Sequence, residues 1–428
     1  MDKDNSNLQP ALPTKNSLSG KPSLRVLFLL TQDLDSPSGL GRYLPMAREL
    51  SRLGYRVSVA ALHSGYQQLL NRRYTEKGVD IHYVAPMHVL KQGSLKTYYS
   101  SAGLVRVAAQ ATWQLSRAAL GVDADIIHIG KPHPMNSLAG MAAKTLRRRR
   151  VLLDCDDYEA GVGHFRTTWE KRGVVYFENR MPLHVDQVTT NTYFTLNRLI
   201  GLGVQPERIT YISNGVDRQR FLPPDPEQVI ALRSSLGLNG KRVVAFIGSL
   251  SRPGHPVDLL FSAFQHVQEQ IPESALLVVG GGDDFPRLEA RAKEMGLADR
   301  VRFTGRIAPE EIAAYYHLAH ALVDPVLDDG AARGRSPLKL FESWACGVPF
   351  VSCDAGDRRL LLGEPPAGLL ARPGDSSSLA EQILKALTDP YLAERLRQHG
   401  AERVQAYYWD FLVKDLDQLY RRTLKNNR

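Results

Sequence analysis

The chain has 428 residues, 43% of them hydrophobic, and a formal net charge of +9. That length suits two domains better than one, each able to bury its own core. Cys155, Cys346 and Cys353 have the spacing of neither a disulfide framework nor a zinc site, which fits a reducing cytosol, and no stretch reaches the roughly 18 consecutive apolar residues of a membrane span.

Residues 1–22 are polar and rich in Asn, Ser and Pro, and read as a disordered leader. Residues 24–30 form a short apolar run, the pattern of a strand buried on both faces. A Gly/Ser/Pro turn follows, then a helical stretch at 43–53, a stop at Gly54 and a second strand at 56–62. This is a βαβ unit. Residues 98–120 read as helix, 125–129 as strand, 137–146 as helix and 151–154 as strand, with short strands at 188–190 and 209–212. The alternation restarts at 242–247 and continues through strands at 276–279, 301–303, 321–323 and 349–352. Helices dominate after Leu379. Two successive α/β halves predict two doubly wound parallel sheets, with ligands in the cleft between them. The first domain is placed at 23–222 and the second from 223 onward.

Charge is unevenly spread. Residues 1–222 carry 29 Lys+Arg against 18 Asp+Glu, and the remainder 25 against 27. A basic first half implies an anionic partner for that half. No nucleic-acid module is present, so an anionic membrane surface fits better. The run Arg147, Arg148, Arg149, Arg150 ends a predicted helix; it is either a solvated last turn favoured by the helix dipole or a lipid-headgroup contact, with Trp113 and Trp169 as apolar neighbours.

The sharpest segment is Ser336-Pro337-Leu338-Lys339-Leu340-Phe341-Glu342, ended by Gly347. Ser336 fits an N-cap and Pro337 the first turn. The amides of Leu338 and Lys339 are then free to bind phosphate. A Lys in a first turn opposes the dipole, and an anion in front of the helix removes that conflict. Glu342, three residues on, shares the face of Lys339 and suits a pair of sugar hydroxyls. A surface Lys–Glu pair is the plainer alternative.

This segment resembles the nucleotide-sugar helix of family 4 glycosyltransferases, in the subgroup that reads S-P-x-K-x-x-E. Ser38-Gly39-Leu40-Gly41-Arg42, Asn214-Gly215-Val216-Asp217 with Phe221, Val279-Gly280-Gly281-Gly282 and Val301-Arg302-Phe303-Thr304-Gly305 also match, in order, over about 24–424. The resemblance implies a GT-B fold, two Rossmann-like domains facing across a cleft, and retaining transfer of a sugar from a nucleotide-diphosphate donor to a glycan, lipid-linked or small-molecule acceptor. A cytoplasmic enzyme, peripheral at a membrane and serving cell-envelope polysaccharide synthesis, is the matching setting. Glu342 would hold the ribose, the amides of Leu338 and Lys339 the distal phosphate, and Gly305 and Arg306 would lie near the base. Gly39 and Gly41 would let the backbone approach the phosphates. A second domain at 223–406 and a last helix at 407–428 returning to the first domain are also implied.

The chain departs from the family in three places. Gly334 stands where most members have a sugar-binding Glu, with Asp328 or Asp329 as substitutes. Ser249 and Gly254 stand where members have a diphosphate-clamping Arg and Lys, leaving Arg252, His255 and Lys339 as nearby cations. Asp125-Ile126-Ile127-His128-Ile129-Gly130-Lys131 keeps one His of an H-x-H pair. Lys131 takes a related place in the cleft, and His128 reads as a buried, hydrogen-bonded histidine. Asp154-Cys155-Asp156-Asp157 contains a D-x-D, yet two α/β halves argue against metal chemistry; Asp156 or Asp157 would orient the acceptor. The residues expected to act are Lys131, Asp157 and Lys339, with donor contacts from Ser249, Arg252, His255, Ser336, Pro337 and Glu342. No cofactor or metal is expected. The missing Arg, Lys and Glu keep a non-catalytic sugar- or lipid-binding protein open, and the shared fold keeps a sugar-nucleotide 2-epimerase open.

Overall fold

The computed structural model describes residues 23–92, 95–163, 165, 167–251 and 255–425. The leader, Arg252 and Gly254 lie outside them. Among the described residues, ten strands precede residue 212: β1 (Arg25–Leu30), β2 (Arg56–His63), β3 (Arg73–Glu76), β4 (Val79–Pro86), β5 (Val89–Gln92), β6 (Leu95–Tyr98), β7 (Ile126–Gly130), β8 (Arg150–Cys155), β9 (Gln187–Thr190) and β10 (Ile209–Tyr211). Eight of them form one sheet in the order β10-β9-β8-β7-β1-β2-β4-β3, parallel except for β3 against β4. β5 and β6 make a separate antiparallel hairpin. The second sheet contains β11 (Arg242–Ile247), β12 (Ser274–Val279), β13 (Val301–Gly305), β14 (Ala321–Asp324), β15 (Phe350–Cys353) and β16 (Leu369–Ala371). Its order is β13-β12-β11-β14-β15-β16, all parallel.

Val26 to Leu30 and Val243 to Ile247 are buried without a break. Helices cover both faces of each sheet, so these strands show apolar runs instead of alternation. Strand order reverses between β1 and β7 in one sheet and between β11 and β14 in the other. The loops leaving these four strands therefore open onto the crevice where α/β sheets bind ligands.

The last helix, Trp409–Lys425, does not stay with the second sheet. Leu412, Val413, Leu416, Leu419 and Tyr420 join one apolar cluster with Val26, Phe28, Met46 and Leu50. The indole of Trp409 donates to the carbonyl of Gly41 at 2.8 Å.

Several elements escaped the sequence reading: β3, β4, the β5–β6 hairpin and the helices Thr168–His184 and Tyr193–Gly201. β4 does alternate at Val79, Ile81 and Tyr83, which are buried between exposed Asp80 and His82. Thr168–His184 buries only Glu178, Met181 and Pro182, so it carries little helical periodicity.

Candidate functional site

At the end of β14, Asp324 is fully buried and accepts from Lys339 Nζ at 2.9 Å and Arg358 Nη2 at 2.8 Å. Burial works to raise its pKa, but the two cations win and hold it well below the usual carboxylate range. Lys339 Nζ also lies 4.2 Å from the ring centre of Phe246, beside the loop that leaves β11 at Gly248. Arg335 Nη1 meets His255 Nε2 at 3.3 Å.

The helix itself runs Leu338–Ala345. Its N-cap is Pro337, with extended backbone and no side chain capping the first turn. The expected Ser336 cap and Pro337 first-turn position are corrected by one residue. A proline C=O can accept the first helical bond, and Leu340 N–H does donate to it at 3.1 Å. The Ser336 hydroxyl, 2% exposed, has no hydrogen-bond partner among the described residues. Lys339 and Glu342 do not pair. Glu342 accepts from the Tyr316 hydroxyl and lies 3.8 Å from Arg220. The two side chains thus diverge, one toward Asp324 and one toward the domain junction.

Across the crevice, Lys131 leaves β7 with a φ of 68°. That left-handed backbone is costly for a non-glycine residue. Asn136 Nδ2 holds the turn by donating to the carbonyls of Gly130 at 2.6 Å and Lys131 at 3.1 Å. Lys131 Nζ then reaches Asp157 at 2.7 Å, Glu159 at 2.8 Å and Asp156 at 3.2 Å. Burial opposes its charge, but the three carboxylates outweigh burial and raise its pKa. Asp156 is pushed up to about 7, chiefly by burial. Glu159 is held low, because Lys131 and His133 overcome the effect of burial. His133 Nε2 lies 3.0 Å from Glu159, and its Nδ1 lies 2.9 Å from the Thr31 hydroxyl. Asp156, Asp157 and Glu159 have the oxygen chemistry of a divalent-cation site. The Lys131 ammonium already supplies a cation to all three.

The two sides meet through residues that the sequence motifs contain. Arg42 forms a buried double contact with Asp154, at 2.6 and 2.7 Å, and donates to Asn214 Oδ1 at 3.0 Å. Asn214 Nδ2 donates in turn to the Ser336 carbonyl at 2.9 Å. The Tyr98 hydroxyl reaches Asp283 at 2.6 Å. The glycines of the first motif are closely packed. A side chain at Gly39 would come within 2.5 Å of the Asp33 carbonyl oxygen, and one at Gly41 within 2.5 Å of Leu338 Cδ1. The absence of a side chain at these two positions permits the turn to close on Asp33 and the helix Leu338–Ala345 to approach it.

Other expectations are also revised. At His255, burial and then Arg335 and Lys339 hold the pKa well below its usual value and so disfavour the cationic form. Asp328 pairs with Arg333, and Asp329 caps Gly330–Arg333 through the Ala332 amide, so both carboxylates already have partners. At the position of the missing Glu, Gly334 receives Tyr158 from the opposite side; a side chain there would lie 2.5 Å from Tyr158 Cβ. Tyr158 packs edge-on to Phe194 and under Arg198. Arg149 is bound to Asp123 and Arg150 to Asp186, leaving Arg147 and Arg148 exposed. Trp113 and Trp169 are 65% and 47% exposed. His128 is buried, stacked on Phe28 at 4.8 Å and bonded to the Tyr420 hydroxyl. Ser249 is half-buried just after β11, Gly305 ends β13 and takes the Gly280 amide at 2.9 Å, and Arg306 is exposed. Arg252 lies outside the described residues. The sequence reading missed Asp324, Arg335 and Arg358. Only Asp324, a carboxylate ending an apolar strand, carried a readable signal.

Residues 38–215 match the family described as Glycosyl transferase 4-like domain, and residues 241–389 match Glycosyl transferases group 1. The GDP-mannose-dependent alpha-(1-6)-phosphatidylinositol monomannoside mannosyltransferase of Mycolicibacterium smegmatis is 26% identical over 290 residues, 67% of this chain and 72% of that protein. The D-inositol 3-phosphate glycosyltransferase of Jonesia denitrificans is 29% identical over 227 residues, 51% of this chain and 52% of that protein. Among solved structures, sucrose-phosphate synthase from Thermosynechococcus elongatus superposes with a TM-score of 0.73 at 20% identity, covering 94% of this chain and 100% of the other. Anabaena HepE in complex with UDP and glucose gives 0.69 at 20% identity, covering 93% and 99%.

Proposed function

Since the chain belongs to the group 1 glycosyltransferases and has their GT-B fold, we propose that it moves a sugar from a nucleoside-diphosphate donor to a hydroxyl of a glycan, lipid-linked or small-molecule acceptor, with retention at the anomeric carbon. The observation that carries this reading is the uncapped start of Leu338–Ala345, facing the first sheet's Gly41 and flanked by Arg335 and Lys339. Free amides, the positive end of a helix dipole and fixed cations together suit a departing diphosphate.

In this reaction the bond from the anomeric carbon to the diphosphate oxygen breaks and one to the acceptor oxygen forms. The acceptor proton passes to the departing diphosphate, so the protein need not supply a strong base. Glu159 fits such a scheme: held ionised by Lys131 and His133, it is a weak base and a firm anchor. Asp157, with 21% of its side chain exposed, is available to accept from an acceptor hydroxyl. Glu342, which accepts from the Tyr316 hydroxyl, would also take ribose hydroxyls. Contacts between the two sides, including Tyr158 on Gly334, would exclude water during transfer. The inositol-bearing substrates in the relatives' names support a polyhydroxylated acceptor. An anionic membrane as a docking surface is supported by Arg147 and Arg148; no described helix is long and apolar enough to cross a membrane.

The test is a thermal-shift panel of UDP-, GDP- and ADP-sugars, followed by transfer assays and determination of the product anomer. One donor should raise the melting temperature and transfer with retention. Glu342→Gln, which keeps an acceptor for Tyr316, should weaken that donor about tenfold. An inverted product, an isomerised donor or binding without turnover would each defeat the reading.

A further inference from the structure

The helix Thr168–His184 turns a carboxylate inward: beside Met181 and Pro182 it buries Glu178, which is 4% exposed. Burying an ionisable group is costly, and burial pushes the Glu178 pKa up to about 7. One of its oxygens accepts from the Glu159 amide at 2.8 Å and the other from the Ala160 amide at 3.2 Å. These amides open the four-residue helix Glu159–Val162. A single helical turn has no stability of its own in water. Its N-cap is Tyr158, with no side chain capping the first turn. The cap comes instead from 18 and 19 positions along the chain. Arg198, on Tyr193–Gly201, supports the arrangement. It lies 3.7 Å from Glu178, donates to Asn179 and sits 5.0 Å from the ring centre of Tyr158. The turn so held carries four side chains that face other elements. Asp156, Asp157 and Glu159 surround the Lys131 ammonium, and Tyr158 meets Gly334 of the second half.

We propose that Glu178 is a positioning residue for transfer: by capping Glu159–Val162 it fixes the carboxylates around Lys131 and the seat of Tyr158 on Gly334, with Arg198 bracing it. The proposal rests on the sugar-transfer reading above and adds a residue that acts on the acceptor side through the backbone. Both oxygens of Glu178 are engaged by amides, so its effect passes through the turn. Two bonds from consecutive amides to one carboxylate set the direction of a turn as well as its place. Without them the three carboxylates would move together relative to Lys131, whose own backbone is held separately by Asn136. The nucleotide contacts proposed on Leu338–Ala345 belong to the second sheet. Loss of the cap should therefore separate transfer from nucleotide binding.

The experiment compares wild type, Glu178→Gln and Glu178→Ala on the full chain. Calorimetry measures binding of UDP, GDP and ADP. Turnover is followed with UDP-glucose, GDP-mannose and ADP-glucose, with myo-inositol and methyl mannoside as acceptors and hydrolysis counted. It is expressed per nucleotide-binding molecule, which removes any loss of folded protein. Glu178→Gln keeps an oxygen for the Glu159 amide but turns its own NH2 toward the Ala160 amide; it should lower this turnover about tenfold. Glu178→Ala makes neither bond and should lower it about a hundredfold. Nucleotide affinity should stay within about twofold of wild type in both. Hydrogen exchange at the Glu159 and Ala160 amides should quicken in the same order. The Gln variant carries the test if the Ala variant does not fold. The proposal is overturned if both variants keep wild-type turnover, or if nucleotide affinity falls in step with turnover. A wild type that binds no nucleotide and turns over no sugar nucleotide defeats the transfer reading itself, a failure visible before any variant is compared.

Discussion

At the scale of single residues, charge and burial decide the roles. His128 lies in the core between Phe28 and Tyr420, and burial lowers its pKa from 6.5 to about 4. The folded chain therefore resists a proton that the unfolded chain accepts. Its contribution to stability is complete above pH 6.5 and is lost as pH falls toward 4. Between pH 7.5 and 5 this loss is about 2 kcal/mol. Asp156 and Glu178, both near 7, have the opposite sign and lose stability as pH rises. They are present in any His128 variant and cancel in a difference. His128→Phe should be less stable than wild type at pH 7.5, because Tyr420 loses its partner, and the gap should narrow by about 2 kcal/mol at pH 5. Denaturant unfolding at both pH values checks this; a constant gap would mean that His128 titrates normally. The buried place expected for this histidine was legible because a His flanked by isoleucines on an apolar strand faces a core. The partner Tyr420 was not, being 292 residues away.

At the scale of elements, Leu338–Ala345 and the short segment before it form the second sheet's side of the proposed donor site. Gly334 matters because Tyr158 closes onto it. An added methyl would meet Tyr158 Cβ at 2.5 Å and the Gly330 carbonyl oxygen at 3.1 Å. Overpacking of this kind costs about 1–3 kcal/mol, and the cheapest relief is to part the two sides. Gly334→Ala should scatter X-rays with a larger radius of gyration than wild type, and adding Tyr158→Gly should reverse the change. An unaltered radius in the single variant would show that the contact yields locally. The sequence identified Gly334 as a departure, but its physical reason belongs to a residue on the other sheet. Likewise Lys339 was found from its unfavourable place in a helix dipole, while its partner Asp324 came from a different strand.

At the scale of the molecule, a chain that builds two sheets in order is tied back on itself by Trp409–Lys425, whose apolar face completes the first core. The basic excess of the first half is only partly free to act outward. Arg149 and Arg150 are held by Asp123 and Asp186, so the exposed contribution at this helix end comes from Arg147 and Arg148. Flotation with anionic liposomes should be salt-sensitive. Each exposed cation near such a surface contributes about 1 kcal/mol, so Arg147→Ala with Arg148→Ala should reduce binding roughly thirtyfold. Arg149→Ala with Arg150→Ala should reduce it far less. Equal losses from the two pairs would point to net charge alone, and no loss from either would remove this helix end from any docking surface.

What the sequence determined by itself was local and periodic. Apolar runs between glycine stops set the parallel strands, and a Ser-Pro start with a Gly end marked the helix that faces the crevice. Short-range sterics and burial on two faces leave those patterns in consecutive residues. Only the tertiary structure decided which charges meet. Arg335, Asp324 and Arg358 come from three separate segments, Lys131 draws in carboxylates 25 to 28 positions away, and Gly41 of the first motif packs against Leu338 from the other half of the chain. Electrostatic and steric fit act through space, so their partners are fixed by the fold and not by spacing along the chain.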